Sequence, residues 1–179
     1  SDKKGASQQV DEAPKRTPQT EALYKKLKKL VDKGQFMFGQ ANPTTISYLG
    51  GVNKTDINQS DCKDITGSHP AFYESDFMWY GQNKAFMQRD LLAMRQAFER
   101  GGVVGYSWHI RGMKSHSFYA KVNGQFTADK HLVKDILSNP NRSENPSLNW
   151  LLTQIDSLVI PVFQQLGFPI VFRPWHEMN

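Results

Sequence analysis

The sequence has a single cysteine, no long apolar run and only a small excess of one charge. Cys62 has no partner with which to form a disulfide within the chain, which excludes a disulfide framework. No stretch reaches the roughly 18 consecutive apolar residues typical of a transmembrane helix, so no transmembrane segment is predicted. The 22 lysines and arginines outnumber the 17 aspartates and glutamates only slightly, which gives a net charge of +5.

The densest positive cluster has the pattern of a solvent-exposed helix face. Its lysines alternate with apolar residues at the spacing of one amphipathic stripe. A nucleic-acid partner would need the positive charge gathered on one binding face, and none is expected here. The residues of this pattern are the lysines Lys25, Lys26, Lys28 and Lys29 and the apolar residues Leu23, Leu27, Leu30 and Val31.

The composition is that of a globular domain. Of the 179 residues, 39% are hydrophobic and 12% are aromatic, enough for one domain with a substantial core. Residues 1–19 are polar, contain Pro14 and Pro18, and lack apolar periodicity, so they are predicted to form a disordered leader or linker. The folded domain is expected over residues 20–179.

Helical and strand patterns alternate along this domain. The predicted strands are short, almost wholly apolar and followed by polar loops, whereas the predicted helices mostly end at glycines. We expect Pro161 to kink the last helix. The predicted strands cover residues 36–40, 70–73, 103–109 and 169–172, and the predicted helices cover residues 18–33, 61–65, 83–100, 129–137 and 148–166.

This alternation predicts an α/β fold with a parallel sheet covered by helices. Polar loops after the strands and tight turns after the helices are typical of a (β/α)8 TIM barrel, whose active site lies at the carboxyl ends of the strands. Only about four βα units are present. The chain is therefore expected to be the first half of a barrel, with its C-terminal half as the missing structural partner.

Polar and aromatic side chains follow three of the predicted strands. Asp76 follows the second, Trp108 and His109 end the third, and the segment from Arg173 to Glu177 follows the fourth. Taken singly, these residues have structural explanations: core packing for the tryptophan or histidine, a helix cap for Asp76, and neutralisation of a buried carboxylate for Arg173. Their convergence on one edge of a sheet favours an active site.

Glycoside hydrolysis fits these residue types. It needs a carboxylic acid to protonate the leaving oxygen and a second carboxylate opposite, and it needs no metal or cofactor. Glu177 is the candidate acid/base. An alternative is that His176-Glu177 begins the zinc-protease motif H-E-x-x-H, but that motif requires a helix, whereas Pro174 and the preceding strand pattern disfavour one.

Four stretches resemble the family 26 glycoside hydrolases, which are mainly β-1,4-mannanases. The most specific is Arg-Pro-Trp-His-Glu-Met-Asn at residues 173–179, which resembles the acid/base segment of the family. The resembling stretches, in order, are Phe38-Gly39-Gln40, His69-Pro70-Ala71-Phe72 leading to Asp76, Gly101-Gly102-Val103-Val104-Gly105-Tyr106-Ser107-Trp108-His109, and residues 169–179.

The resemblance implies a role for each strand-end residue. Glu177 would be the general acid/base, and His176 beside it would orient groups near the sugar 2-hydroxyl. His109 would line the −1 subsite, preceded by Trp108, and Arg173 would hold the nucleophile. That nucleophile, a glutamate on the seventh strand in the family, has no counterpart among these residues, so this chain alone is expected to be inactive.

By this resemblance the substrate is a β-mannan: mannan, galactomannan or glucomannan, cleaved with retention by a secreted, periplasmic or surface-displayed bacterial enzyme. Two alternatives stay open from the sequence. The same fold could act on mixed-linkage β-glucan or β-1,3-xylan, or the protein could be a non-catalytic carbohydrate-binding relative.

Overall fold

The computed structural model describes residues 15–46 and 56–175, and its centre is a parallel sheet. Its four strands are hydrogen-bonded in the order β1-β2-β3-β6, and a short antiparallel hairpin of β4 and β5 is inserted after β3. The strands are β1 (Gly39–Ala41), β2 (Phe72–Asp76), β3 (Val103–Trp108), β4 (Lys121–Val122), β5 (Gln125–Phe126) and β6 (Val171–Pro174).

Helices lie before the sheet and in each connection between its strands. No helix among residues 15–46 and 56–175 is long and apolar enough to cross a membrane. The α-helices are α1 (Pro18–Asp32), α2 (Asp61–Thr66), α3 (Lys84–Glu99), α4 (Leu132–Leu137), α5 (Pro146–Gln154) and α6 (Ile160–Leu166). A 3-10 turn covers Phe77–Trp79, and a π-helical turn covers Ile155–Val159.

The clearest sequence patterns predicted their helices well. Helix α3 begins after Asn83, whose side chain accepts a hydrogen bond from the Phe86 amide, and it ends before the glycine pair at residues 101–102. Helix α1 likewise ends as predicted before Gly34, which has a φ of 65°. Local capping signals and a sustained apolar stripe therefore suffice to locate these helices.

The predicted strand bounds are wrong for three of the four strands. Phe36 and Phe38 precede β1 and are 86% and 60% exposed, although the pattern predicted a strand there. Strand β2 was predicted at residues 70–73, and β6 at residues 169–172, whereas each begins two residues later and β2 extends to Asp76. Pairing with the neighbouring strand determines the bounds of β2. The parallel ladder pairs Phe72 with Val103 and Asp76 with Ser107, so polar residues of β2 enter the sheet.

The segment between the third predicted strand and the helix predicted from residue 129 contains the β4–β5 hairpin, where no regular structure was predicted. Its turn is Asn123-Gly124, with φ values of 49° and 76°, the conformation that an Asn-Gly hairpin turn requires. The helix predicted from residue 129 begins only at Leu132. Asp129 is held outside it because its carboxylate accepts hydrogen bonds from the backbone amides of Lys114 and Ser115.

The long last helix is interrupted before Pro161, close to the predicted kink. The π turn at Ile155–Val159 separates α5 from α6, and Pro161 lies in the first turn of α6. Because proline has no backbone N–H to donate, a local change from α-helical to π-helical hydrogen bonding is expected just before it.

Alternation along the strands separates two faces of the sheet. Ser75 of β2 donates to Asp90 of α3, so the face that carries Ser75 packs on the helices. The aromatic core lies on this face: Phe77 stacks on Tyr106 with ring centroids 4.7 Å apart. Glu74 and Asp76 alternate with Ser75 along β2 and therefore point to the other face, which corresponds to the interior of a barrel.

Asp90 is a fully buried carboxylate on the helix-packed face. The Tyr80 hydroxyl donates to Asp90 Oδ2 at 2.5 Å and lies 2.8 Å from the Tyr106 hydroxyl. Burial raises the pKa of Asp90 to about 6, although the hydrogen bonds from Ser75 and Tyr80 oppose that rise. This acid is separate from the barrel-facing site described next.

Candidate active site

The candidate site is built on the barrel-facing side of β2, β3 and β6, at their carboxyl ends. The ladder aligns Asp76 with Ser107 and Ser107 with Arg173, so these three residues form one row across three strands. Parallel strands place such rows at the edge where α/β folds carry their chemistry. The row thus brings a carboxylate, a hydroxyl and a guanidinium to one face.

Asp76 holds His109 through both of its carboxylate oxygens. Oδ1 accepts hydrogen bonds from the backbone amides of Met78 at 2.8 Å and His109 at 3.1 Å. Oδ2 accepts from the Ser107 hydroxyl at 3.0 Å and also contacts His109 Nδ1. Asp76 therefore is a cap, as predicted, although it caps a 3-10 turn. It is in addition the anchor of His109, a candidate site residue. The anchoring role is a finding of the structure.

A second acid of β2 pairs with the arginine of β6. Arg173 Nη2 donates to Glu74 Oε1 at 3.1 Å, and the bridge crosses β3 diagonally because Glu74 aligns with Gly105 and Arg173 with Ser107. The sequence analysis missed Glu74. Had β2 been placed at residues 72–76, the i, i+2 spacing of Glu74 and Asp76 would have put both acids on one face.

The barrel-facing surface below this bridge is filled by one aromatic ring. A Cβ added at Gly105 would lie 2.4 Å from Cζ of Phe72, and one at Gly39 would lie 3.1 Å from Cβ of Phe72. Glycine on both neighbouring strands is therefore what admits the Phe72 ring. The Phe72 ring thus covers the barrel-facing side of Gly39 and Gly105, next to Glu74 and Arg173.

The loop after β3 continues the site on the side of His109. The Phe118 ring packs edge-on against His109 with centroids 6.2 Å apart, and the Arg111 guanidinium lies 4.1 Å from the centroid of Phe118. His109 is thus fixed by a carboxylate on one side and an aromatic edge on another.

Trp108 does not share this position. It is 4% exposed and lies in the core on the helix-packed face, with its ring 6.1 Å from that of Phe77. Strand alternation explains the difference, because consecutive residues of β3 point to opposite faces. Its predicted substrate contact stays a prediction, and its burial favours the packing role.

The end of β6 leads into the predicted acid/base segment. Trp175 has a φ of 59°, a left-handed conformation that costs a non-glycine residue roughly 1–2 kcal/mol. Such residues cluster at functional sites. Glu177 and His176 themselves lie outside the described residues, so their predicted roles stay predictions. Within residues 15–46 and 56–175, no group of three or more histidine, cysteine or acidic side chains could hold a metal ion.

Comparison with known proteins identifies a family. The sequence model of glycosyl hydrolase family 26 matches residues 10–179. Among solved structures, a family 26 β-mannanase from Bacteroides ovatus is similar, at 25% identity and a TM-score of 0.70 over 90% of this chain and 46% of that protein. No match was found among curated proteins.

Two further solved structures share the fold at lower identity. A modular endo-β-1,4-mannanase from Cellulomonas fimi has 24% identity and a TM-score of 0.66 over 90% of this chain and 36% of that one. A Bacillus sp. JAMB-750 endo-β-1,4-mannanase domain has 21% identity and a TM-score of 0.68 over 91% and 43%. The chain thus spans less than half the length of these proteins. The predicted TIM-barrel class, with its first four strands in this chain, is confirmed.

Proposed function

This chain belongs to glycosyl hydrolase family 26, and we propose that it forms the N-terminal half of the catalytic barrel of a retaining endo-β-1,4-mannanase. The observation that carries the proposal is the family match over residues 10–179, which includes Glu177. The Bacteroides ovatus structure, itself described as a β-mannanase, supports the choice of a β-mannan as substrate.

In this proposal Glu177 is the general acid/base of a double displacement. It protonates the glycosidic oxygen while a glutamate from the C-terminal half of the barrel attacks the anomeric carbon. The ionised Glu177 then takes a proton from the water that releases the sugar from the glycosyl-enzyme. His176 orients groups near the sugar 2-hydroxyl, and His109 lines the −1 subsite.

Arg173 has a supporting role in the same mechanism. We assign it to hold the nucleophilic glutamate as an anion, since a guanidinium beside a carboxylate favours the charged form. Its hydrogen bond to Glu74 supports this assignment, because that bond fixes the guanidinium on the barrel-facing side. Its partly exposed side chain is consistent with a further partner.

The rest of the organisation follows from the same proposal. The leader or linker predicted over residues 1–19 ends before α1, which begins at Pro18. The residues from α1 onward supply the first four βα units, and the remaining units come from a C-terminal half of the barrel. Carbohydrate polymers do not enter cells, so the enzyme would work in secreted form, in the periplasm or on the bacterial surface.

The test is sugar release by the complete protein on galactomannan, glucomannan, mixed-linkage β-glucan and β-1,3-xylan. We expect release from the mannans, and Glu177→Ala should lower it by several orders of magnitude because the leaving oxygen is then unprotonated. Glu99→Ala, at the exposed end of α3, is the matched control and should retain full activity. A loss below about tenfold in Glu177→Ala, under roughly 1.4 kcal/mol of barrier, would remove Glu177 from this role.

Leaving-group chemistry sharpens this test. An aryl glycoside with a very acidic phenol needs no protonation, so Glu177→Ala should form the glycosyl-enzyme from it and then stall for want of a base. Azide, a nucleophile that needs no base, should restore turnover and give a glycosyl azide. Release only from β-glucan or β-1,3-xylan would change the sugar, and inactivity on every substrate would favour a carbohydrate-binding relative.

A further inference from the structure

We propose that Asp76 is a positioning residue that keeps a proton on His109 Nδ1 and thereby turns the Nε2 edge of the ring toward the sugar. The inference rests on the proposed function only for the role of His109 at the −1 subsite. The Asp76–His109 contact itself is independent of the substrate.

The bonds at Asp76 divide cleanly between its two oxygens. Among the described residues, Oδ1 accepts hydrogen bonds from two backbone amides, those of Met78 and His109, whose protons stay on the amide nitrogens. Oδ2 faces two side chains, the Ser107 hydroxyl and His109 Nδ1. The backbone hydrogen bonds therefore fix the orientation of the carboxylate. The oriented carboxylate in turn favours the tautomer of His109 that carries its proton on Nδ1.

Burial makes this arrangement selective. Asp76 is 6% exposed, so an unpaired lone pair on Oδ2 would be costly and a donor at His109 Nδ1 is favoured. The hydrogen bond made by one ring nitrogen of a histidine commonly determines which of the two nitrogens carries the proton. It thereby determines whether the other nitrogen acts as a donor or as an acceptor. Rotation of the imidazole is also restricted. Asp76 holds the backbone amide of His109, and the Phe118 ring packs against the imidazole itself.

The carboxylate-to-amide change provides a test that keeps the local structure. In Asp76→Asn, Oδ1 still caps the amides of Met78 and His109, and Nδ2 replaces Oδ2. The amide Nδ2 can donate to the Ser107 hydroxyl oxygen and to His109 Nδ1, so both contacts survive with the direction of both hydrogen bonds reversed. The proton should then leave Nδ1 for Nε2. A purely structural role for Asp76 predicts no such transfer.

The first readout is the 15N NMR spectrum of the histidine rings in the complete protein, with His109 assigned from the His109→Gln variant. We expect Nδ1 of His109 to carry a proton in the wild type and to lose it in Asp76→Asn. Asp156→Asn is the matched control, because Asp156 forms an exposed ion pair with Arg142, and it should leave the His109 signals unchanged. A wild-type His109 with an unprotonated Nδ1 overturns the proposal without any variant.

The second readout is hydrolysis of mannan. Asp76→Asn should lower kcat and kcat/KM together by about 10- to 100-fold, as expected for loss of a partner that orients a site residue. A proton transfer in the NMR spectrum with full activity would overturn the positioning role. If the wild-type protein cleaves no glycan while Nδ1 is protonated as expected, the proposed function fails and the Asp76–His109 bond stands.

Discussion

At the scale of single residues, the most consequential group outside the site is Asp90. Its carboxylate is completely buried, and its pKa of about 6 lies above the ordinary value of 3.8 because burial disfavours the charged form. Between these two values the folded state binds more protons than the unfolded state. The free energy of unfolding contributed by Asp90 is therefore largest below pH 4 and falls as the pH rises toward 6.

We expect Asp90→Asn to remove this pH dependence. From the two pKa values, wild type should lose on the order of 2 kcal/mol of unfolding free energy between pH 4.5 and 7 relative to the variant. The amide leaves Ser75 and Tyr80 an acceptor, and any packing cost it carries is the same at both pH values. Urea denaturation of the complete protein at each pH measures the difference, and parallel stability curves for the two proteins would contradict the prediction.

At the scale of elements, the turn between α4 and α5 depends on one asparagine. Asn145 Oδ1 accepts from the Leu148 amide and so caps α5. Its Nδ2 donates to the carbonyls of Asp135, Ile136 and Asn139 at 2.8–3.0 Å, which closes the end of α4. A buried side chain, 4% exposed, thus satisfies both helix ends.

Asn145→Ala should destabilise the protein by roughly 2–4 kcal/mol, because the cap and the three carbonyl partners are lost together. Asn145→Asp isolates the two parts, since it keeps the cap and loses the donors. Asn83→Ala is the matched control: Asn83 is exposed and caps only α3, so its loss should cost about 1 kcal/mol. Equal costs for Asn145→Ala and Asn83→Ala in thermal or urea unfolding would refute the double role.

The elements also show what the sequence could predict. Capping residues and an apolar stripe located α3 because these signals are local. Strand bounds were wrong because they depend on partners: Glu74 and Asp76 read as loop residues until the ladder with β3 places them in β2. The same error left Glu74 unrecognised as the anchor of Arg173 and left the contact between Asp76 and His109 unpredicted. The hairpin turn at Asn123-Gly124 was readable locally, but its strands are too short and exposed to give a pattern.

At the scale of the whole molecule, the sheet has two open edges within the described residues. Strand β1 pairs only with β2, and β6 pairs only with β3. Apolar side chains that precede β1 in the chain are exposed, with Val31 at 75% and Phe36 at 86%. A closed barrel would pair both edges and bury one face of the sheet, whereas an open sheet presents unpaired backbone groups to other chains.

We therefore expect residues 1–179, produced alone, to associate and to show no mannanase activity, because the edges are unpaired and the proposed mechanism takes its nucleophilic carboxylate from the C-terminal half of the barrel. Co-production with the remaining half of the barrel should give a 1:1 complex that cleaves mannan, since pairing β1 and β6 closes the sheet and supplies the nucleophile. Size-exclusion chromatography with an activity assay tests both statements, and a complex carrying Glu177→Ala is the control for contaminating hydrolase. A monomeric chain that unfolds cooperatively would contradict the first statement, because it would mean that the exposed edges need no partner.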